Sequence, residues 1–266
     1  MGRIFQPLVL FAAVCGLMVA LAGIQTARAG ERTGIVVVHG TQADPDQPAY
    51  TRFSAALEAA GILVDMPEMC WSSRRKLDAA LSDCFKDIDA AIDRLSQRGA
   101  TAIVIAGHSL GGNAAIGYGA ARPGLKGIVV LSGAFDPRNA ASRPQVAESI
   151  AKAQALAGQG KADSPDSFVA TRPGAVTIET TPAAYLSFYG PRSQADMPVN
   201  VRKLTAPLLW IAGSEDRGQK GPAYAFDKAP ANPHNRYTVV TAGHMATLDA
   251  GAPIVAQWLK DLNGTP

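Results

Sequence analysis

Charge is scarce in this 266-residue chain. Charged residues make up 18% of it, below the usual share of roughly 25%. Basic residues outnumber acidic ones by only three, and the one basic cluster is Arg74-Arg75-Lys76. This balance argues against a nucleic-acid partner, and the cluster reads as a solvated helix start. Aromatic residues reach only 6%, too few for a carbohydrate platform. Cysteines number three and histidines four. Cysteines without a nearby histidine argue against zinc, and no metal or cofactor is expected. The hydrophobic share, by contrast, is 47%, which excludes disorder as the whole account. The length suits one α/β domain.

The first thirty residues stand apart. Arg3 gives a positive start, Leu8–Ile24 is apolar and uncharged, and Ala27-Arg28-Ala29 fits a small-x-small cleavage site. The pattern predicts a signal peptide over 1–29, cut after Ala29, and a mature domain over 30–266. The mature protein is then periplasmic or secreted, without stable membrane insertion. An uncleaved anchor is the alternative, because the run sits at the short end of what spans a bilayer. Export places Cys70 and Cys84 in an oxidising compartment and predicts a disulfide between them.

The mature chain alternates strands with helices, which predicts a parallel sheet between two helical layers. Strands are expected at Gly34–Val38, Ile62–Met66, Thr101–Ala106, Lys126–Ser132, Pro207–Ala212 and Arg236–Thr241. Helical spacing marks Pro48–Ala60, Asp83–Arg98, Gly112–Ala121 and Thr247–Leu262. Periodicity weakens between Gly133 and Thr205. A stretch of roughly seventy residues is too long for an ordinary connection, so 133–205 is expected to be a cap or an elaborated loop.

Gly107-His108-Ser109-Leu110-Gly111 matches G-x-S-x-G. The match alone is weak. Its setting, directly after a buried strand and before a small-residue helix, is what such a nucleophile turn requires. A serine needs a base to take its proton, and near neutral pH that base is histidine. His244 follows the last strand and precedes the final helix, at the sheet end where α/β proteins hold their sites. His234, in a Pro/Asn loop, is the alternative. His39 ends the first strand and His108 is the elbow's own neighbour. Asp216, after the strand Pro207–Ala212, is the leading acid, with Asp136 as the alternative and Asp196 read as a helix cap. The oxyanion needs two donors. The N–H of Leu110 supplies one, and the N–H of Thr41 the other, with Gln42 in reserve. Gly40 permits the close backbone approach such a hole requires.

His39-Gly40-Thr41, Gly107-His108-Ser109-Leu110-Gly111-Gly112, Gly213-Ser214-Glu215-Asp216 and Gly243-His244 together resemble the α/β-hydrolase superfamily. The order Ser, Asp, His is the superfamily's order. Met66–Ser72 and Tyr185–Asp196 are similar to a group of exported bacterial hydrolases. The resemblance spans about residues 33–263 and implies a serine hydrolase with an acyl-enzyme and no cofactor. The superfamily usually places two strands before the His-Gly strand, and here cleavage leaves no room for them. A trimmed, parallel, six-stranded sheet in the order 2-1-3-4-5-6 is therefore expected within a three-layer α/β-hydrolase fold. Serine at the elbow argues against the haloalkane dehalogenase and epoxide hydrolase branches, which carry aspartate there.

The expected pocket lies between the sheet's C-terminal edge and residues 133–205. Gln42, Trp71, His108, Phe135, Tyr185 and Phe188 are its candidate lining. Tyr185, Phe188 and Tyr189 share a helical face, which suits a packed cap helix equally well. The leading reading is carboxylester hydrolysis of a small-molecule substrate. Thioesterase, amidase and acyltransferase use the same residues. A catalytically silent binding protein on the same fold is the reading from another class, and an uncleaved anchor would make it a membrane-tethered interaction module. The residues carry no sign of oligomeric state.

Overall fold

Runs of β-branched residues set the frame. In the computed structural model, which describes residues 31–264 except 134 and 173, together with Gly2, six of them form one parallel sheet. The expected signal segment lies, Gly2 apart, outside the described residues. The sheet strands are β1 (Thr33–Val38), β2 (Leu63–Asp65), β3 (Ala102–His108), β4 (Gly127–Leu131), β7 (Leu208–Gly213) and β8 (Arg236–Val240). They run in the order β2-β1-β3-β4-β7-β8, which is the order expected. Every pairing is parallel.

Alternation within each strand splits the core in two. Ile35, Val37, Val104, Val129, Leu209 and Ile211 face α1 (Pro48–Ala59) and α8 (Ala246–Gly264), where Tyr50, Phe53, Leu57, Leu248, Val255 and Trp258 meet them. Val36, Val38, Ile105, Val130 and Trp210 face the opposite layer, α2 (Leu81–Gln97) and α3 (Leu110–Ala121). Full burial of such a side chain is worth roughly 2 kcal/mol, and a one-residue slip would turn a whole strand's set to the wrong layer. The register is therefore fixed, and with it the level at which each strand ends.

Residues between β4 and β7 are more regular than their composition suggested. They form α4 (Pro137–Ala141), α5 (Pro144–Gly158), the antiparallel pair β5 (Asp166–Arg172) and β6 (Gly174–Thr180), α6 (Pro182–Tyr189) and α7 (Met197–Asn200). Asp136, Thr181 and Asp196 cap α4, α6 and α7 by accepting from backbone N–H groups. Asn113 on α3 anchors the segment, donating through Nδ2 to the carbonyls of Phe135 at 2.9 Å and Ala195 at 2.7 Å.

A disulfide joins Cys70, in the loop after β2, to Cys84 in the first turn of α2, with Cα atoms 5.6 Å apart. Among the described residues no helix is long and apolar enough to cross a membrane.

Candidate active site

β3 delivers Ser109 onto a sharp turn. Its backbone sits at φ 57° and ψ −122°, a strained conformation for a residue with a side chain. The turn closes only because Gly107 lacks a Cβ, which would lie 2.0 Å from the Gly111 carbonyl oxygen. Helix α3 starts at Leu110, two residues earlier than the sequence suggested, so its N-terminal end points at Ser109.

His244 and Asp216 come from the loops after β8 and β7. His244 Nδ1 donates to Asp216 Oδ2 at 2.7 Å. Asp216 Oδ1 accepts from the Gly218 N–H at 2.9 Å. Burial alone would raise the Asp216 carboxyl, but the bonds from His244 and Gly218 outweigh it and hold the group below the usual carboxylate range. With Nδ1–H committed to Asp216, His244 presents Nε2 as the acceptor. Ser109 and His244 line the same cleft, and among the described residues no hydrogen bond joins them. Such bonds often tighten only around bound substrate.

The rivals are occupied elsewhere. Asp136 caps α4 and pairs with Lys220 at 2.7 Å. Asp196 caps α7 and binds Arg138 at 2.7 Å. His39 is fully buried, donating from Nδ1 to the Gly40 carbonyl and accepting at Nε2 from the Met69 N–H. The His234 backbone ties into its own loop and takes a bond from the Trp258 indole, away from the cleft.

On the other side of Ser109 runs the loop after β1. A Cβ on Gly40 would come within 3.0 Å of the Ser109 Cβ, so the loop's approach depends on that glycine. The Gln42 N–H is taken by the Trp71 carbonyl at 2.9 Å. The N–H of Thr41 makes no bond among the described residues, and that of Leu110, as first residue of α3, has no partner inside the helix.

Two spaces adjoin here, and Ser109 lines the larger of them. A cleft of about 600 Å³ is walled by Gln42, Gln47, Asn139, Arg143, Lys220 and His244, among others. A recess of about 30 Å³ opens beside Thr41 and Leu110, between Trp71, Leu77, Ile178, Phe188 and Tyr189. Thr41, Gln42 and Phe135 belong to both. Of the candidate lining residues, Trp71 and Phe188 wall the recess, their rings edge to face at 6.0 Å. Tyr185 does not line either space. Its ring is stacked between Phe168 and Tyr189 at 4.8 Å from each, and its hydroxyl donates to the Val169 carbonyl. Helical spacing had shown that it shares a face with Phe188, but not that the β5–β6 pair would cover it. His108 touches the cleft, but it is 1% exposed and both ring nitrogens are engaged. Tyr50, Ser132 and Thr247, which the sequence gave no reason to place at the site, also lie beside it. The Thr247 hydroxyl donates to the His244 carbonyl at 2.7 Å and accepts from Ser132. Among the described residues no cluster of His, Cys, Asp and Glu could hold a metal ion.

The sequence matches the alpha/beta hydrolase family over residues 35–257. The chain belongs to that family. A comparison with curated proteins found no match. Among solved structures it is similar to Est1E from Butyrivibrio proteoclasticus, recorded with bound ferulic acid, at 17% identity and a TM-score of 0.65, covering 88% of this chain and 91% of that one. It is also similar to a monoacylglycerol lipase from Paleococcus ferrophilus, at 20% identity and a TM-score of 0.62, covering 88% and 96%. At these identities the likeness is one of fold.

Proposed function

We propose that the protein is a serine carboxylesterase working through an acyl-enzyme. The observation that carries this is the Asp216–His244 bond, set across one cleft from a serine on a strained turn. Ser109 Oγ attacks the ester carbon while His244 Nε2 takes its proton. The oxyanion is held by the N–H groups of Thr41 and Leu110. His244 then gives the proton to the leaving alcohol, and later takes one from the water that releases the acyl group. Asp216 stays ionised and supports the imidazolium. The esterase and lipase among the similar structures lend the reading support.

The same chemistry assigns the two spaces. The leaving group must face His244, which protonates it, so the alcohol occupies the larger cleft. The acyl group sits on the side of the oxyanion donors, in the recess. A space of about 30 Å³ is little more than a water needs. The substrate is therefore an ester of a short acyl group with a larger alcohol. The cleft is large enough to admit a second alcohol as acyl acceptor, which keeps acyl transfer as the second reading. The protein acts outside the cytoplasm, a reading that rests on residues 1–29 and is supported by the Cys70–Cys84 disulfide.

The test is hydrolysis of p-nitrophenyl esters from acetate to palmitate by wild type and Ser109→Ala. Turnover of the short esters by wild type alone is the expected result. If both proteins leave every ester intact, while a fluorophosphonate still labels Ser109, acyl transfer or another acyl substrate replaces simple esterase.

A further inference from the structure

A chain of buried hydrogen bonds crosses beneath the cleft. The Gly40 N–H donates to Tyr50 Oη at 2.8 Å. Tyr50 Oη is 2.9 Å from His108 Nδ1. His108 Nε2 is 3.0 Å from the carbonyl oxygen of His244. Only one proton assignment satisfies every group. The carbonyl can only accept, so His108 carries its proton on Nε2 and is neutral. Its Nδ1 then accepts, and the Tyr50 hydroxyl donates to it while accepting from Gly40. Tyr50 and His108 are 0% and 1% exposed, so water cannot substitute for either partner.

The endpoints give the chain its meaning. Gly40 precedes Thr41, the proposed oxyanion donor. His108 precedes Ser109, and its ring packs 4.8 Å from the His244 ring. Three loops from three strands, each carrying one part of the proposed machinery, thus meet on a single pair of side chains. We infer that His108 and Tyr50 are a positioning pair: together they set the distance between the oxyanion loop and the base, without touching substrate. This rests on the esterase reading above.

Neutrality is part of the design. Burial, and then the charge His244 would carry, push His108 down to about 4. A second cation would otherwise face the imidazolium that forms at His244 during each turnover. Protonation would also set two donors, His108 Nδ1–H and the Tyr50 hydroxyl, against each other.

A double-mutant cycle tests the pair. Tyr50→Phe removes one oxygen and keeps the ring that packs in the core. His108→Gln keeps a side-chain donor of similar reach toward the His244 carbonyl. Each single variant is expected to lower kcat about tenfold or more with little change in KM, since small misplacements of reacting groups are that costly. The double variant is expected to lose no more than the worse single, because the two act as one unit. Losses that multiply, or a Tyr50→Phe enzyme within about twofold of wild-type kcat, would overturn the pairing and leave the esterase reading intact. If wild type hydrolyses no ester, that reading fails and the pair is judged by NMR instead. The proton between His244 and Asp216 should then shift or broaden in Tyr50→Phe, and an unchanged signal would overturn the proposal. Circular dichroism and Tm identify a variant that has simply failed to fold; His108→Asn, which keeps an acceptor toward Tyr50, then takes its place.

Discussion

The N–H of Gln42 donates to the carbonyl of Trp71 at 2.9 Å. This bond occupies the Gln42 N–H and leaves Thr41 as the proposed second oxyanion donor. Thr41→Pro, which deletes that N–H, is expected to lower kcat about a hundredfold or more, the usual cost of losing one such donor. Gln42→Ala keeps its backbone and is expected to stay within about threefold of wild type. Steady-state kinetics on a short ester, with Tm as the folding control, separates the two.

Asp216 and Asp136 make an instructive contrast. Asp216→Asn removes the group that holds His244 in its tautomer and should cost about a thousandfold or more in kcat. Asp136→Asn removes half of an ion pair and weakens a helix cap. It is expected to leave kcat within a few fold and to cost about 1 kcal/mol of stability, read by urea denaturation.

Trp71 walls the recess, packed edge to face against Phe188. Trp71→Ala should therefore move the chain-length optimum toward longer acyl groups in a p-nitrophenyl ester series. An optimum that stays at the short esters would place the acyl group elsewhere.

The Cys70–Cys84 bridge closes a loop of 14 residues in sequence separation. Chain-entropy arguments give such a bridge about 3 kcal/mol. Cys84→Ser is expected to lose that amount in urea denaturation, and reduction of wild type should lower its Tm to match.

Acid should weaken the fold through its buried imidazoles. His108 is held at about 4 in the folded chain against an ordinary 6.5, and burial lowers His39 as well. Between those values the unfolded chain binds the extra proton. Stability is thus full above about pH 6.5 and falls as the pH drops toward 4, by about 3 kcal/mol for His108 alone. Urea midpoints measured from pH 7 to 4 should show the decline, with a shallower slope in His108→Gln.

Six strands were legible because each is a short apolar run rich in valine and isoleucine, bounded by glycine, proline or polar residues. Val36, Val37 and Val38 of β1 are buried on both faces, so composition alone marked them. The β5–β6 pair escaped notice for the opposite reason. Only alternate residues such as Phe168, Ala170 and Ile178 turn inward, and the serines, threonines and charges between them read as loop. Ser109, Asp216 and His244 stood out because each follows a recognisable strand. Tyr50 did not, because its partner His108 lies 58 residues away and its hydroxyl matters only once α1 has packed beneath β3. Tyr185 takes the packed reading rather than the pocket one, because helical spacing reports which residues share a face and not what that face meets.

β4 and β7 are neighbours in the sheet although residues 132–207 separate them. Bringing such distant strands together slows folding, since the intervening chain must be closed before the contacts reward it. The entropic cost of closure, however, rises only with the logarithm of length. Lengthening a loop within this segment would therefore cost little closure entropy, whereas removing its helices or the β5–β6 pair would strip Phe168, Tyr185 and Phe188 from the core. About a third of the cleft's wall, Asn139 and Arg143 among it, and about half of the recess's sit on that segment, while Ser109, Asp216 and His244 sit just past the ends of β3, β7 and β8. Under the proposed function, that part of the substrate's surroundings is free to drift by loop insertion while Ser109, Asp216 and His244 stay where they are.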